Sequence, residues 1–343
     1  MKFLTFLRLF FGGRIFSNVA NVKFIDDEKC LGFAQFYDQK IHPKAIEIEE
    51  GRIKHLKKII WRAHFSTIIL AVFTTVIISK SVHINSSLED ISLYYYLVIT
   101  PLIFWAWLPI LSYKKSIKSD LFSEILKFFG DFSYFPGGQK SEIESFEKFG
   151  IVPNHDKSYS KTEDLITGKY KDVALRFEEW ILEKNLGKYS YKVFRGATIL
   201  LSFNKNFHGK TIVKNDGGMV GNFLKKNLGN IFSDLEKVDF EDPEFEKMFE
   251  VYSSDQIEAR YLITTSFMER LKGLSKFFES KKVEAGFCQN ELFLMFHNSK
   301  NLFEPGSIFK EVSLISECKT VIEQMSLIFD LIGFLKLDQR TGL

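Results

Sequence analysis

The stretch Ile91–Tyr113, ISLYYYLVITPLIFWAWLPILSY, contains no charged residue. A helix of this length covers the roughly 30 Å hydrocarbon core of a bilayer. Three consecutive tyrosines near its start, and Trp105 and Trp107 toward its end, resemble the aromatic belts of membrane interfaces. Pro101 and Pro109 are tolerated in a membrane helix, where neighbouring groups satisfy the freed backbone. The stretch therefore predicts a transmembrane helix at 91–113.

A second apolar stretch, His64–Ser79, precedes it. It reaches spanning length, about 61–82, only if Arg62 and Lys80 extend their charged ends to the lipid headgroups. The alternative is a buried helix of a soluble core, since short apolar stretches favour that reading. We interpret residues 61–113 as a transmembrane hairpin.

Basic residues flank the hairpin on both outer sides, and its connecting loop, KSVHINSSLED, has a single lysine. The flanking residues are Arg52, Lys54, Lys57, Lys58 and Arg62 before it, and Lys114, Lys115 and Lys118 after it. Because basic residues mark the cytoplasmic side, both termini are predicted to be cytoplasmic in a multi-pass protein whose first partner is the lipid bilayer.

Residues 1–60 form the predicted N-terminal cytosolic segment. Its opening, MKFLTFLRLFFGGRIF, resembles a signal peptide, but Arg8 and Arg14 interrupt the apolar run and no small-residue cleavage site follows. An amphipathic helix lying at the interface is the other interpretation.

Composition excludes several classes of function. The net charge of +3 is too small to indicate a nucleic-acid partner, since acidic residues balance basic ones along most of the chain. The three cysteines, Cys30, Cys288 and Cys318, are far apart and form no metal-binding or disulfide pattern. We expect no metal and no cofactor.

Residues 114–343 have the pattern of a cytosolic α+β domain with a mainly antiparallel sheet flanked by helices. A helix is predicted at Ser119–Phe129, and a second at SEIESFEKFG, where Ser141 and Glu144 have capping-box spacing and Gly150 ends the helix.

Strands are predicted in YKDVALRFEEWIL and YSYKVFRGATILLSF, and NKNFHG is expected to turn the second into KTIVK. KKVEAGF and ELFLMFH predict a hairpin, and the final segment SECKTVIEQMSLIFDLIGFLKL predicts a helix.

The polar stretch FEVYSSDQIEAR, 249–260, has two interpretations. Ser253 and Gln256 have the spacing of a capping box, with Asp255 in the first turn, Glu258 and Arg260 solvated, and Ile257 facing inward. Ser266 and Glu269 repeat that spacing. The alternative is a catalytic cluster of Asp255, Glu258 and Arg260, but no histidine or cysteine nearby completes a nucleophile–base pair.

Several long segments resemble the bacterial family known as Domain of Unknown Function 3137. They are FAQFYDQKIHPKAIEIEEGR, FEKFGIVPNHDKSYSKTEDLITGKYKDVALRFEE, FRGATILLSFNKNFHGKTIV and FEVYSSDQIEARYLITTSFMERL. The resemblance implies two hydrophobic segments ahead of a cytosolic domain, location in the bacterial cytoplasmic (inner) membrane, and a LemA-type membrane protein as a partner. It implies no catalytic residues.

Glu163 and Asp164 are the other candidate carboxylates, in HDKSYSKTEDLITGKY with His155 and Asp156. They could serve as acid and base or bind a ligand. The simpler interpretation is a loop in which Asp164 bonds turn amides and Gly168 takes a positive φ.

Arg195 and Gly196 lie in the middle of a predicted strand. A buried pair of Arg195 with Glu163 or Asp164 is favoured over an anion site, and Gly196 permits close backbone approach.

Gly217, Gly218 and Gly221 could cradle a phosphate, but the segment lacks the P-loop ending and favours a flexible loop. His208 and His297 are interpreted as turn or strand residues.

These patterns predict a protein that binds a partner or assembles a complex. Asp164, Arg195, Asp255, Glu258 and Arg260 are the candidate ligand-binding residues. The alternatives are a membrane-tethered enzyme using Glu163/Asp164 or Asp255/Glu258, and a sensor of anions or lipid headgroups that uses the flanking basic residues.

The predicted topology can be tested by thiol labelling in cells with a permeabilised outer barrier. A cysteine at Ser86 in the connecting loop should react with a membrane-impermeant reagent, and one at Ser160 should stay protected. The reverse pattern would contradict the assignment of both termini to the cytoplasm.

Overall fold

The computed structural model describes residues 2–13, 15, 23–26, 31–81, 88–137, 143–204, 206–215, 234–280, 282–298, 302–303, 307–310, 312 and 314–334. The chain divides into two compact units. The helical unit comprises Met1–Leu121 and Glu304–Glu317, and the sheet unit comprises Phe122–Phe303 and Cys318–Leu343. The predicted α+β class is confirmed: two long apolar helices near the N-terminus precede an antiparallel sheet flanked by helices.

Four helices open the chain. Helix α1 is Lys2–Phe10, and α2, Phe33–Phe36, continues through a π-helical turn at Tyr37–Ile41 into α3, His42–Ser81. Helix α4 is Leu88–Leu126, and a 3-10 turn, Lys127–Phe129, follows it. The helix predicted at Ser119–Phe129 is present as the last part of α4 and the 3-10 turn that follows it. Since no glycine or proline separates Tyr113 from Leu126, α4 continues through this stretch.

Both α3 and α4 are long and apolar enough to cross a membrane, by length and composition. The apolar window within Phe33–Ser79 is 0% buried in the structure, and that within Tyr95–Phe129 is 11% buried. A helix in the core of a soluble protein would be mostly buried, so the exposed apolar faces disfavour that alternative for His64–Ser79. The two helices suggest association with a membrane.

Helices α3 and α4 pack antiparallel, as in a hairpin, since later residues of α3 contact earlier residues of α4. The Arg62 guanidinium donates to the Trp105 carbonyl oxygen at 2.8 Å and lies 4.8 Å from the centre of its ring. Further along, Phe73 and Tyr95 meet edge to face at 5.5 Å. Arg62 therefore contacts the partner helix, where the sequence had suggested a side chain extended to the headgroups.

Helix α1 forms where an amphipathic segment was predicted, and its aromatic side chains contact the helical unit itself. The Phe10 ring stacks on His64 of α3 at 4.3 Å, and Phe6 packs edge to face on Phe309 at 6.2 Å. Leu9 is buried. Part of the apolar surface of α1 is thus covered by protein, while Leu4 remains 70% exposed.

A buried ion pair joins α3 to the segment around residue 310. Arg52 donates to the two carboxylate oxygens of Glu49 at 2.7 and 2.5 Å, and each side chain is 3% exposed. The third guanidinium nitrogen donates to the Ile308 carbonyl at 3.0 Å, and the Val312 amide donates to Glu49 at 3.2 Å. Because both charges are satisfied several times, the pair is stable in a place where a lone charge would be costly.

The sheet unit contains nine strands in the described residues. They are β1 Phe132–Pro136, β2 Lys161–Tyr170, β3 Val173–Asn185, β4 Ser190–Ser202, β5 Lys210–Asn215, β6 Glu236–Val238, β7 Phe249–Ser253, β8 Lys282–Cys288 and β9 Glu291–His297. Their spatial order is β1-β2-β3-β4-β9-β8-β5-β7-β6, and every pairing is antiparallel. The later helices are α5 Pro243–Glu246, α6 Gln256–Leu262, α7 Thr265–Phe277 and α8 Ile315–Phe334.

Strands β3 and β4, the β8–β9 hairpin and helix α8 confirm the sequence predictions. The stretch KTIVK forms β5 after the NKNFHG segment as predicted, but β5 pairs with β7 and β8 and not with β4. The chain between β4 and β5 is hydrogen-bonded to the β8–β9 turn. The Phe203 amide donates to the Asn290 carbonyl, and the Phe207 amide donates to the Gln289 carbonyl. The helix predicted at SEIESFEKFG is a 3-10 helix, Ile143–Phe149, that ends at Gly150 with a φ of 70° as expected. Ser141 lies outside the described residues.

Phenylalanine rings fill the core on both faces of the sheet. On one face, Phe146 from the 3-10 helix packs edge to face on Trp180 at 5.0 Å and tilts against Phe293 at 4.8 Å. On the other face, Phe278, just after α7, lies 4.8 Å from Phe296. Such pairs add about 0.5–1.5 kcal/mol each beyond the burial of apolar area. Because both faces of the sheet are covered at β9, this strand is apolar at five successive positions, 292–296.

Replacement of Glu49 tests the buried pair. Glu49→Ala should lower the free energy of unfolding by about 3–5 kcal/mol, because Arg52 stays buried without its carboxylate. The double change Glu49→Leu with Arg52→Met should recover most of this loss. Thermal melts of the purified full chain in mild detergent measure the effect.

Glu47→Ala is the matched control, since Glu47 forms an exposed pair with Lys44 at 2.8 Å on the same helix. Its loss should stay below about 1 kcal/mol. Equal losses for Glu47→Ala and Glu49→Ala would contradict the buried-pair argument.

Candidate functional site

A cleft opens where β4 runs past the end of β9. Strand β4 begins at Ser190, but its pairing with β9 begins only at Gly196, opposite His297. The chain then leaves the sheet, with the Asn298 amide donating to the Arg195 carbonyl at 2.9 Å. The resulting cavity has a volume of about 460 Å³. Its lining residues are Lys192, Val193, Phe194, Arg195, Glu279, His297 and Asn298.

Gly196 fixes the inner end of the cleft. Its φ is 157°, and a Cβ atom there would lie 1.9 Å from the Phe296 carbonyl oxygen. Only glycine allows β4 to approach β9 this closely. The expectation of close backbone approach at this glycine is therefore confirmed.

Arg195 is partnered by Glu163, at 3.8 Å between the charged groups. Of the two carboxylates considered for this pair, the structure selects Glu163. The pair is not buried as predicted, because the two side chains are 31% and 23% exposed. Glu163 also lies 3.4 Å from Lys161. A partly exposed, loosely paired guanidinium at a cleft remains able to bind an incoming carboxylate.

His297 lines the cleft and also contacts a buried carboxylate, that of Glu284. Glu284 is 3% exposed and lies 3.4 Å from His297 Nε2 and 3.0 Å from Lys282 Nζ. Burial alone would raise the pKa of Glu284, but the hydrogen bond with His297 and the charges of Lys282 and Lys214 outweigh it and hold the pKa below its ordinary value. Glu284 is therefore ionised near neutral pH.

Lys214 is buried on the same face of the sheet, one position beyond the Val213–Ala285 pairing of β5 and β8. Loss of hydration lowers its pKa to about 8, although the Glu284 charge acts in the opposite direction. An isolated lysine in the apolar sequence TIVKN, and an isolated glutamate in KVEAGF, are signals of this buried cluster that the sequence reasoning did not use.

A second row of buried polar residues lies on the same face, separated from the Glu284 cluster by Met295. Thr198 and Glu178 are both 2% exposed and lie opposite each other in β4 and β3. Glu178 accepts a hydrogen bond from Trp180 Nε1 at 2.6 Å and pairs with Arg176. These contacts satisfy the buried charge and hold the row in one arrangement.

Asp164 lies in strand β2, so its assignment to a loop was wrong. It is fully buried and accepts a hydrogen bond from the Tyr134 hydroxyl at 2.7 Å. The irregular register between Thr162 and Leu165 places this polar residue inside a strand. Gly168 has no positive φ; it makes room for the Phe132 ring, which a Cβ atom would approach to 2.3 Å. Both residues join β2 to β1.

The stretch 249–260 is a strand followed by helix α6, and the cap is Asp255. Its carboxylate accepts from the Ile257 and Glu258 amides, each at 3.0 Å. Ser253 was wrongly predicted as the cap; it is buried at the end of β7 and shares a 2.9 Å hydrogen bond with Thr211. Ser253 is held in β7 by this pairing, which leaves Asp255 at the helix start, where a charged acceptor suits the positive end.

The remaining predicted residues of this stretch lie around α6. Arg260 is exposed and donates to Gln256 and to the Asp239 carbonyl at 3.3–3.5 Å. Ile257, expected to face inward, is 84% exposed. The cap of α7 is Thr264, whose hydroxyl accepts from the Phe267 amide, and the predicted Ser266 cap was wrong.

The described residues hold no group of three or more histidine, cysteine or carboxylate side chains that could bind a metal ion. His155 contacts the Pro153 carbonyl at 3.0 Å, and Asp156 accepts from the Asn185 amide at 2.6 Å. His208 is exposed in a turn. The glycine-rich segment with Gly217, Gly218 and Gly221 lies outside the described residues.

The sheet unit is thus an antiparallel α+β structure in a chain that also carries two long apolar helices. Residues 192–337 match the model of a family described as "Protein of unknown function (DUF3137)". This match confirms the resemblance indicated by the sequence, over a segment that begins at the cleft and ends in the region of α8. The segment does not include the two apolar helices.

Comparison with curated proteins gave no match. Among solved structures, the crystal structure of the mycobacterial trehalose monomycolate transport factor A, TtfA, aligns with 61% of this chain and 91% of its own chain. The sequence identity is 12% and the TM-score is 0.31. Similarity this low indicates neither a shared fold nor a shared function.

The buried Lys214 generates a pH dependence. Between its folded pKa of about 8 and the unfolded value of 10.5, the unfolded chain holds a proton that the folded chain has lost. The free energy of unfolding should therefore rise with pH across this window, by up to about 3 kcal/mol. Lys214→Met should be more stable than the native chain near pH 7, and this advantage should disappear toward pH 10.5.

Trp180 fluorescence during urea unfolding reports on the sheet unit, provided that Trp61, Trp105 and Trp107 are replaced by phenylalanine in both proteins. Lys276→Met, at an exposed lysine of α7, is the control and should leave the pH profile unchanged. A Lys214→Met protein that is less stable than the native chain at every pH would show that the lysine acts mainly as a partner of Glu284.

Proposed function

We propose that this chain is a membrane-anchored binding protein whose sheet unit takes up an extended segment of a partner protein along the cleft. The observation that carries the proposal is the free edge of β4. Among the described residues, the part of β4 before Arg195 pairs with β3 on one side and has no strand on the other, whereas the Arg195 carbonyl already accepts from the Asn298 amide. Such an edge can accept an added strand through main-chain hydrogen bonds.

The charges around this edge favour an acidic segment. Lys192 and Arg195 lie on the strand itself, and His297 lies at its inner end, against a single lining carboxylate, Glu279. Charge complementarity of this kind chiefly sets the choice of partner and the rate of association. Val193, which is partly exposed, supplies apolar contact in this groove, whereas Phe194 is buried beneath it.

Anchoring is part of the proposal. The exposed apolar faces of α3 and α4 support a transmembrane hairpin in the bacterial inner membrane, and the exposed lysines Lys54, Lys57 and Lys58 before the first span support cytoplasmic termini. A LemA-type membrane protein, implied by the family resemblance, is the first partner to test.

The enzymatic alternative has less support. Its carboxylates occupy two separate places, with Glu163 and Asp164 in β2 and Asp255 and Glu258 beside β7, near opposite ends of the strand order. Asp164 joins two strands and Asp255 caps a helix, so both have structural roles. Binding is therefore the function that the geometry favours.

Site-specific photo-crosslinking in cells tests the strand-addition site. A benzoylphenylalanine at Val193 of the full chain should crosslink a partner through an extended, acid-rich segment identified by mass spectrometry. The same group at Lys169, an exposed position on β2, should give no such product. Changing Lys192→Gln and Arg195→Gln together should reduce the yield several-fold, because both positive charges at the edge are lost.

Lys169→Gln is the matched charge control and should leave the Val193 product intact. Equal crosslinking from Val193 and Lys169, or a yield that does not respond to the loss of Lys192 and Arg195, would contradict the proposed site.

A further inference from the structure

Strands β3 and β4 extend beyond their neighbours as a two-stranded arm. The pairing of β2 with β3 reaches Ile181, and the pairing of β9 with β4 starts at Gly196. Residues 182–195 therefore pair chiefly with each other, around a turn at residues 186–189. At about 3.3 Å per residue, the arm extends about 15 Å past these strand pairings. The Asp156 amide donates to the Glu183 carbonyl at 2.8 Å along its β3 side, so the outer β4 side and the turn are the parts that stand apart.

The end of the arm presents apolar side chains to solvent. Leu186 is 66% exposed, Tyr189 is 75% exposed and Tyr191 is 48% exposed. Tyr191 lies directly opposite Lys184, and Leu186 and Tyr189 continue the alternation at the turn. Because opposed residues and residues two apart point the same way, these four side chains share one face of the arm.

Positive charge accompanies the apolar side chains. The sequence KNLGKYSYK, 184–192, contains three lysines and no acidic residue. None of Lys184, Lys188 and Lys192 forms an ion pair with another residue in the part of the chain that the structure describes. Glu183, the nearest carboxylate in the sequence, accepts a hydrogen bond from the Ser190 hydroxyl at 3.1 Å.

Hydrogen bonds beside its turn hold the arm in one shape. The Asn185 side chain accepts from the Gly187 amide at 2.9 Å and donates to the Tyr159 hydroxyl at 3.0 Å. The backbone amide of Asn185 donates to the Asp156 carboxylate at 2.6 Å. Gly187 takes a φ of 85°, as the tight turn requires. A preformed surface loses little conformational entropy when it binds.

We infer that the end of this arm, residues 184–191, binds the headgroup surface of an anionic lipid bilayer. Tyrosine side chains favour the membrane–water interface, a leucine at a turn can enter the acyl boundary, and lysines are attracted to anionic headgroups. A protein partner at this surface is disfavoured because lysine is depleted at protein interfaces, whereas here Lys184 and Lys188 supply all of the charge.

The inference rests on the proposed anchoring only for the presence of a membrane near the sheet unit. Helix α4 continues without a break to Leu126, and β1 begins at Phe132, so residues 114–131, which are largely helical, link the second apolar stretch to the sheet. Tethering of this kind raises the effective concentration of lipid surface at the arm, which makes a weak contact effective. The arm is distinct from the basic residues that flank the predicted spans.

A fluorescent probe at the arm tests lipid contact in the full chain. Ser190→Cys is labelled with nitrobenzoxadiazole in a protein carrying Cys30→Ser, since Cys288 and Cys318 are buried. The chain is reconstituted into nanodiscs of phosphatidylcholine alone or with about 30% phosphatidylglycerol, which supplies anionic headgroups. Probe emission should increase and shift to shorter wavelength only with phosphatidylglycerol, and less so at high salt.

Lys184→Gln with Lys188→Gln should lower the ratio of docked to free probe about 25-fold, since each lysine near an anionic surface contributes about fivefold. Leu186→Ser with Tyr189→Ser should also lower it. Lys169→Gln with Lys276→Gln, which removes two exposed lysines elsewhere in the sheet unit, should have no effect. Lys192 and Arg195 are unchanged in every variant, so the proposed strand-addition site stays intact.

An equal signal in neutral and anionic nanodiscs, or a signal that survives the Lys184 and Lys188 changes, would overturn the inference. So would an equal response from a probe at Lys169, or a response that appears only when a partner protein is added. The outcome is separable from the proposed function, because photo-crosslinking at Val193 requires partner binding and does not require lipid contact by the arm.

Discussion

The pairing of β4 with β9 holds the sheet together. In the described residues, strands β1 to β4 form one antiparallel series, strands β9, β8, β5, β7 and β6 form the other, and β4–β9 is the only pairing that joins them. Gly196 stands at one end of this pairing, where a Cβ atom would meet the Phe296 carbonyl at 1.9 Å. Any side chain there would force the two series apart, so the apolar faces of both depend on one glycine.

The same pairing produces the cleft and the arm. Since β4 continues beyond the point where β9 leaves the sheet, its outer edge is exposed at the cleft and its far end turns back as a two-stranded arm. The two proposed surfaces therefore use different parts of one strand, with main-chain groups and Lys192 at the cleft, and Leu186, Tyr189 and Lys188 at the end of the arm. A rigid strand places both at a fixed separation, which loops would not do.

Sequence patterns predicted the strands whose apolar residues alternate or run together, such as β3, β4, β8 and β9, and they predicted the long helices. They failed where polar residues are buried by long-range contacts. Strand β2 looks like a loop because Asp164 interrupts it, and only the Tyr134 hydroxyl from another strand explains that carboxylate. The partners of β5 were also beyond local patterns, because pairing between distant strands depends on the whole sheet.

The candidate site was predictable only where its residues stand out in the local sequence. Arg195, Gly196 and Glu163 were recognisable because a charge and a glycine in mid-strand both require an explanation. The contribution of His297 and Glu279 was not, since it arises from where β9 ends and not from any spacing in the sequence. The cap at Asp255 shows a smaller limit: Ser253 and Asp255 both suit a helix start, and the register of β7, which buries Ser253, decides between them.

Basic residues around the apolar stretches of α3 and α4 have two physical roles: some bind other parts of the protein, and others stay exposed and could face a membrane surface. Arg52 is buried with Glu49, and Arg62 binds the Trp105 carbonyl, so neither presents a free charge to a lipid surface. The orientation argument therefore depends on the lysines, with Lys54, Lys57 and Lys58 exposed before the first apolar stretch and Lys114, Lys115 and Lys118 after the second. These still outnumber the single lysine of the connecting loop, so the predicted orientation is unchanged. Charge counts from sequence overstate this bias, because arginines that hold helices together cannot be told apart from those that face the membrane surface until their partners are seen.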